Sequence, residues 1–177
     1  MIGIAQDAQG AQLPKPWIEQ AGGTFRSLLD QKNLIGKLYN LKYVPVGILI
    51  DEQGHLARSV SSVNIDDQAF KIELEEWVTT GNTPASWQAN DIQEAVRSLT
   101  PEEKEADEHL NQAVLFLQQD RRQDAIEALK KGYQADPTNW LIRKQLWAIE
   151  QPTAFYSGPV DYAWQQQRIQ EEDEARH

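Results

Sequence analysis

Apolar residues alternate between short extended runs and helical spacing in the first half of this chain and keep helical spacing through most of the second. Residues 2–6, Ile-Gly-Ile-Ala-Gln, are a brief apolar run closed by Asp7-Ala8-Gln9-Gly10, which predicts a strand and then a turn. Pro14-Lys15-Pro16-Trp17 opens a helix over 14–21 that Gly22-Gly23 ends, since proline is tolerated in a first turn. Phe25, Leu28 and Leu29 make a second extended piece that closes at Asp30. Leu34, Ile35, Leu38 and Tyr39 recur at helical spacing and predict a helix over 32–39. Residues 46–50 are continuously apolar, as in a strand covered on both faces. Asp51-Glu52-Gln53-Gly54 is hairpin punctuation, and 55–61 should return antiparallel and nearer an edge. A helix over 66–79 follows, with Asp66 as N-cap and Phe70, Leu74, Trp77 and Val78 on its buried face.

From Gly81-Asn82-Thr83-Pro84 onward the pattern is helical. A short helix is expected over 91–99. Thr100-Pro101-Glu102-Glu103 has capping-box spacing with proline at the first helical position, so a helix should start there and run to about residue 119. Ala106, Leu110, Ala113, Phe116 and Leu117 form its buried face. Residues 122–135 give a second helix through Ala125, Ile126, Leu129 and Tyr133, and Asp136-Pro137-Thr138-Asn139 separates it from a third over 140–149. The stretch 151–164 carries aromatics, proline and glycine with no regular period, and its aromatics predict that it packs back onto the body. Residues 165–177 read as an exposed acidic helix whose run Glu171-Glu172-Asp173-Glu174 is a solvated end.

Charge narrows the functions available. Lys+Arg number 17 against 27 Asp+Glu, a formal net charge of −10, which argues against binding nucleic-acid phosphates or an anionic membrane surface. Cysteine is absent, so disulfides, thiolate nucleophiles and thiolate metal ligands are excluded. His55, His109 and His177 share no ligand spacing, and no glycine-rich loop follows a strand. Asp7, Asp30 and Asp51 stand near strand ends, where a carboxylate could act as a base; turn and cap roles explain them better. No catalytic residue, metal or cofactor is therefore expected. With no leader pattern and no apolar stretch near ~20 residues, the expected location is cytoplasmic.

The motifs of the first eighty residues, taken in order, carry a resemblance. Ile2-Gly3-Ile4-Ala5-Gln6-Asp7, Leu28-Leu29-Asp30, the approach Leu38-Tyr39-Asn40-Leu41-Lys42-Tyr43-Val44-Pro45, and Ile48-Leu49-Ile50-Asp51-Glu52-Gln53-Gly54 resemble the C-terminal two-thirds of a TlpA/ResA-type thioredoxin-like domain. That domain belongs to the wider AhpC/TSA-redoxin superfamily. The resemblance implies thiol–disulfide oxidoreductase ancestry and a cis-proline at Pro45 in a substrate-facing loop, where the backbone of Val44 would pair with an extended substrate strand. Without cysteine the chain as it stands is expected to be redox-inactive and not an enzyme.

The resemblance also implies that the redox half and the central strand of the sheet are missing upstream of Ile2. A mis-called start that omits them is the leading expectation. Otherwise another polypeptide supplies the strand, two copies complete each other as a homodimer, or residues 2–6 shift to pair directly with 46–50.

In the helical half, Ala113, Phe116, Ala125, Leu129, Gly132 and Pro137 match the spacing of small, aromatic, large and proline positions in a tetratricopeptide (TPR) repeat. His109 and Gln112 stand where that motif has Trp and Leu. The expected fold class is thus an incomplete thioredoxin-like α/β unit over 1–80, a linker and short helix over 81–100, an all-α TPR-like segment over 101–150, and an aromatic tail with an acidic helix over 151–177. The alternative function is a noncatalytic protein–protein interaction module using the TPR-like helices.

Overall fold

The computed structural model describes residues 1–41, 44–87 and 98–174. Along the chain run β1 (Ile2–Ala5), α1 (Lys15–Gln20), β2 (Arg26–Leu29), α2 (Leu34–Leu38), α3 (Gln68–Thr80), a 3-10 turn (Ala85–Trp87), α4 (Pro101–Gln118), α5 (Arg122–Ala135), α6 (Trp140–Glu150), α7 (Thr153–Tyr156) and α8 (Tyr162–Glu174). The fold is mixed α/β and mostly helical. The helix expected over 91–99 lies outside the described residues. Among the described residues no helix is long and apolar enough to cross a membrane.

Contacts divide the chain into two units, one of Met1–Asn33 with Leu99–His177 and one of Leu34–Ser98. This division differs from one drawn at the loop after residue 80. It places β1, α1 and β2 with the helical half, and the reason is the turn after β1. Ala8 is only 1% exposed and belongs to the same core as Leu110, Val114, Leu129, Ile142 and Ile149.

In the first unit, β1 and β2 pair in parallel with Ile2 opposite Arg26 and Ala5 opposite Leu29, and the Asp30 N–H extends the ladder to the Ala5 carbonyl at 2.8 Å. The strands form a two-stranded sheet. Ile2, Ile4 and Leu28 remain 57%, 41% and 49% exposed, although parallel strands are normally covered on both faces.

Helix α4 starts as its sequence requires. The Glu103 N–H donates to the Thr100 hydroxyl, and the Thr100 N–H donates back to the Glu103 carboxylate at 2.9 Å. α4 and α5 then pack as a hairpin, with α5 against α6. Gly132 marks the tightest approach: a Cβ there would meet the Ala106 carbonyl oxygen at 3.2 Å and the Cβ of His109 at 3.3 Å. The guanidinium of Arg122 closes the hairpin by donating to the Ile149 carbonyl at the end of α6.

Helix α6 is buried almost all round, including Ile142, Arg143, Gln145, Leu146, Trp147 and Ile149, as a helix at the centre of a unit must be. Its Gln145 side chain accepts from the Ala8 N–H at 2.9 Å and donates to the Gln6 carbonyl, which locks the turn after β1 onto the helices. The tail packs back onto this unit. Trp164 meets Trp147 edge-on at 5.7 Å and Phe155 at 5.9 Å. It is regular where its composition shows no period: α7 lies within it, and α8 begins at Tyr162 rather than at residue 165.

In the second unit the expected strands over 46–50 and 55–61 reduce to isolated antiparallel bridges, Gly47 with Ser61 and Ile50 with Leu56. The run is not covered on both faces, since Leu49 is buried while Ile50 is 46% exposed, and a strand paired along one side holds only a narrow ladder. Gly47 is needed there, because a Cβ would run into the side chain of Val63. Helix α3 is capped by Asp67, not Asp66; the Asp67 carboxylate accepts from the Ala69 N–H at 2.9 Å. Phe70 of α3 joins Leu49, Ala57 and Trp87 in the core, with Leu74 and Trp77 packed on it, whereas Val78 is 72% exposed.

Candidate functional site

The Val44–Pro45 peptide bond is cis, and both residues are exposed. They sit in the second unit, whose core is an aromatic cluster. Trp87 stacks on Phe70 at 6.1 Å and meets Trp77 edge-on at 5.7 Å. Over this floor lies the guanidinium of Arg58, 5.4 Å from the Phe70 ring centre and 5.7 Å from that of Trp87. Arg58 also donates to the Ser61 hydroxyl at 2.6 Å. Opposite in charge is Glu73, one turn along α3 from Phe70. Its carboxylate accepts from the Ser86 hydroxyl at 2.6 Å and from the Trp87 indole at 2.8 Å. Those hydrogen bonds, Ser86 first and Trp87 second, hold the Glu73 carboxyl below its usual range, so it is ionised and a weak base.

Arg58, Ser59, Ser61, Glu73, Ser86 and Trp87 line a cleft of about 320 Å³. Among the described residues the lining places no histidine beside its serines. Sequence reading passed over Arg58 and Glu73, since neither stands in a recognisable motif; only the tertiary fold brings residue 58 to α3.

Five of the six TPR-like positions serve packing. Ala113, Ala125 and Leu129 are wholly buried, Gly132 is buried at the α4–α5 approach, and Phe116 packs at the margin under the Arg121 guanidinium at 4.4 Å. Pro137 is exposed in the turn between α5 and α6. Among the described residues no group of three or more His, Cys, Asp or Glu is placed to hold a metal ion.

Of the strand-end aspartates, Asp7 and Asp51 bond within or next to their turns. Asp51 accepts from the N–H groups of Gln53 and His55, and chiefly the His55 bond lowers its pKa, which is a turn role. Asp7 is buried, accepting from the Tyr156 hydroxyl at 2.8 Å and from the Gln9 N–H at 2.8 Å. Burial raises its pKa, and those two hydrogen bonds offset the effect in part. Burial and the Asp7 charge push the Tyr156 hydroxyl up as well.

A carboxyl with a raised folded pKa takes up its proton more readily folded than unfolded. Its stabilising contribution is therefore present below the unfolded value, about 4, and lost as pH rises through the folded value. Asp7→Asn should accordingly melt at a higher temperature than the parent at neutral pH, with the advantage shrinking on acidification. Thermal melts of both proteins across that range check this, and a lower midpoint for Asp7→Asn at neutral pH would contradict it.

Within the acidic run near the C-terminus Glu171, Asp173 and Glu174 are exposed, as a solvated end requires, but Glu172 is not. Glu172 accepts from the Tyr133 hydroxyl at 3.1 Å, from Arg143 Nε at 2.8 Å and from the Trp147 indole at 2.5 Å. Arg143 and Glu172 side chains are only 7% and 16% exposed, and the guanidinium lies against the rings of Trp140 and Trp147 at 4.8 and 4.9 Å. The available signal was the spacing of Trp164, Arg168 and Glu172, which puts one ring and two charges on a single helix stripe. Compared with protein-family models, curated proteins and solved structures, the chain matches none.

Proposed function

We propose that this chain is a noncatalytic, thioredoxin-like protein-interaction module whose two parallel strands take up a further strand from a second copy. The observation that carries this reading is the sheet itself. Two parallel strands expose Ile2, Ile4 and Leu28, an arrangement that is marginal alone and a ready template for strand addition. A second copy presents the same apolar β1, and pairing of β1 with its symmetry mate would satisfy both edges at once. The lack of cysteine, and of a histidine among the described residues that line the cleft, supports binding over catalysis. The Val44–Pro45 loop keeps, by resemblance, its place as a substrate-facing segment. The TPR-like helices have less support as the binding surface, because Ala113, Ala125, Leu129 and Gly132 are spent on helix packing.

Light scattering of the purified chain should give the mass of a dimer, with β1 amides protected from exchange. Ile4→Pro, which removes an N–H from β1, should shift the mass toward a monomer. A monomer at all concentrations with freely exchanging β1 amides would overturn the reading. In an insulin-reduction assay the chain should add nothing to dithiothreitol alone, and turnover above that background would contradict a noncatalytic role.

A further inference from the structure

The cleft of the second unit holds one charge of each sign over a fixed aromatic floor. Among the described residues Arg58 makes no ion pair with any carboxylate, and its one donor bond, to Ser61, leaves most of its five N–H groups without a protein acceptor there. A cation stacked on two rings keeps its position when it gains a partner, because the rings and not the partner hold it. Glu73 is likewise fixed by Ser86 and Trp87, yet each carboxylate oxygen retains a further lone pair. The two side chains lie close enough for the Arg58 charge to help keep Glu73 ionised.

A ligand with only negative charge would meet Glu73, and one with only positive charge would meet Arg58. A molecule carrying both charges avoids each repulsion, and 320 Å³ exceeds what a single amino acid fills. We propose that this cleft binds a small zwitterion, a free α-amino acid or a dipeptide, with its carboxylate on Arg58, its ammonium on Glu73 and its apolar part against Trp87. Ser59 and Ser61 also line the cleft. This proposal rests on the cleft alone and does not depend on completion of the sheet by a second copy.

The test uses the full chain and two-dimensional amide spectra, with the Trp87 indole signal assigned from its loss in Trp87→Phe. L-leucine and the dipeptide Ala-Leu serve as zwitterionic probes and distinguish the two sources. N-acetyl-leucine, leucine amide and inorganic phosphate remove one charge or supply an anion alone. At least one zwitterion should shift the Trp87 indole saturably, and the blocked forms should bind about tenfold more weakly or worse. Arg58→Gln and Glu73→Gln should each weaken binding about tenfold or more while leaving the signals of the helical unit unchanged, and Arg58→Lys should recover part of the loss. No shift at millimolar zwitterion would overturn the proposal. So would N-acetyl-leucine binding as well as leucine, or phosphate binding with neither zwitterion doing so.

Discussion

Glu172→Ala should cost the chain about 3–5 kcal/mol of stability, the range expected when one partner of a buried ion pair is removed. The reason is what remains behind. Arg143 is 7% exposed and lies among the rings of Tyr133, Trp140 and Trp147, so its charge cannot turn out to water when the carboxylate goes. Arg168 loses less, because Glu150 at 3.0 Å and Glu171 at 3.6 Å still neutralise it. The pair also fastens α8, whose one buried residue is Gln165. Removal of Glu172 should therefore expose the α8 amides to exchange before the rest of the helical unit opens. Replacing both charges, as Arg143→Met with Glu172→Met, should recover most of the loss, since methionine fills irregular apolar space without a charge to compensate. Chemical denaturation of the single and double variants checks this. A Glu172→Ala variant within about 0.5 kcal/mol of the parent would mean the pair behaves as an exposed one.

Trp147→Ala should destabilise by a similar amount, about 3–5 kcal/mol, through loss of a large core side chain. Trp147 is 0% exposed and meets Trp140 at 6.4 Å and Trp164 at 5.7 Å edge-on, while its indole donates to Glu172. It thus joins the two devices that hold the tail, the ring stack and the buried carboxylate. Trp147→Phe separates them: the ring contacts persist in part and the donor is lost, at a cost of about 1–3 kcal/mol. Against a typical total of about 5–15 kcal/mol, the alanine variant should be partly unfolded at ambient temperature. Circular dichroism melts of the two variants give the comparison, and equal losses would show that the hydrogen bond, not the packing, dominates. Since Trp147 and Glu172 share that bond, their effects should not add.

Local chemistry was legible wherever a residue acts within its own turn. The Thr100–Glu103 capping box and the stop and new start at residues 136–139 follow from short-range hydrogen bonding and backbone geometry. Where two adjacent residues could serve equally, as Asp66 and Asp67 before α3, the pattern alone chose wrongly. The 46–50 run failed for a different reason. An apolar run states that burial is possible, while the number of partner strands decides how much of it becomes sheet, and among the described residues only Ser61 and Leu56 form bridges with it.

The candidate site was less legible than the fold. Arg58 and Glu73 are unremarkable in sequence, and they become a cleft only because Phe70 and Trp87 place both on one aromatic floor. The same holds for Glu172 inside an acidic run.

The lack of cysteine and the apolar faces that build the α4–α6 core can be read from the chain alone, because composition, caps and periodicity are local properties. The tertiary structure alone decided that residues 1–33 join the helical half, that Asp7 and Glu172 are buried, and that opposite charges converge over Trp87. Each of these depends on contacts between residues far apart in the chain, and no local pattern specifies which distant surface will supply the other side.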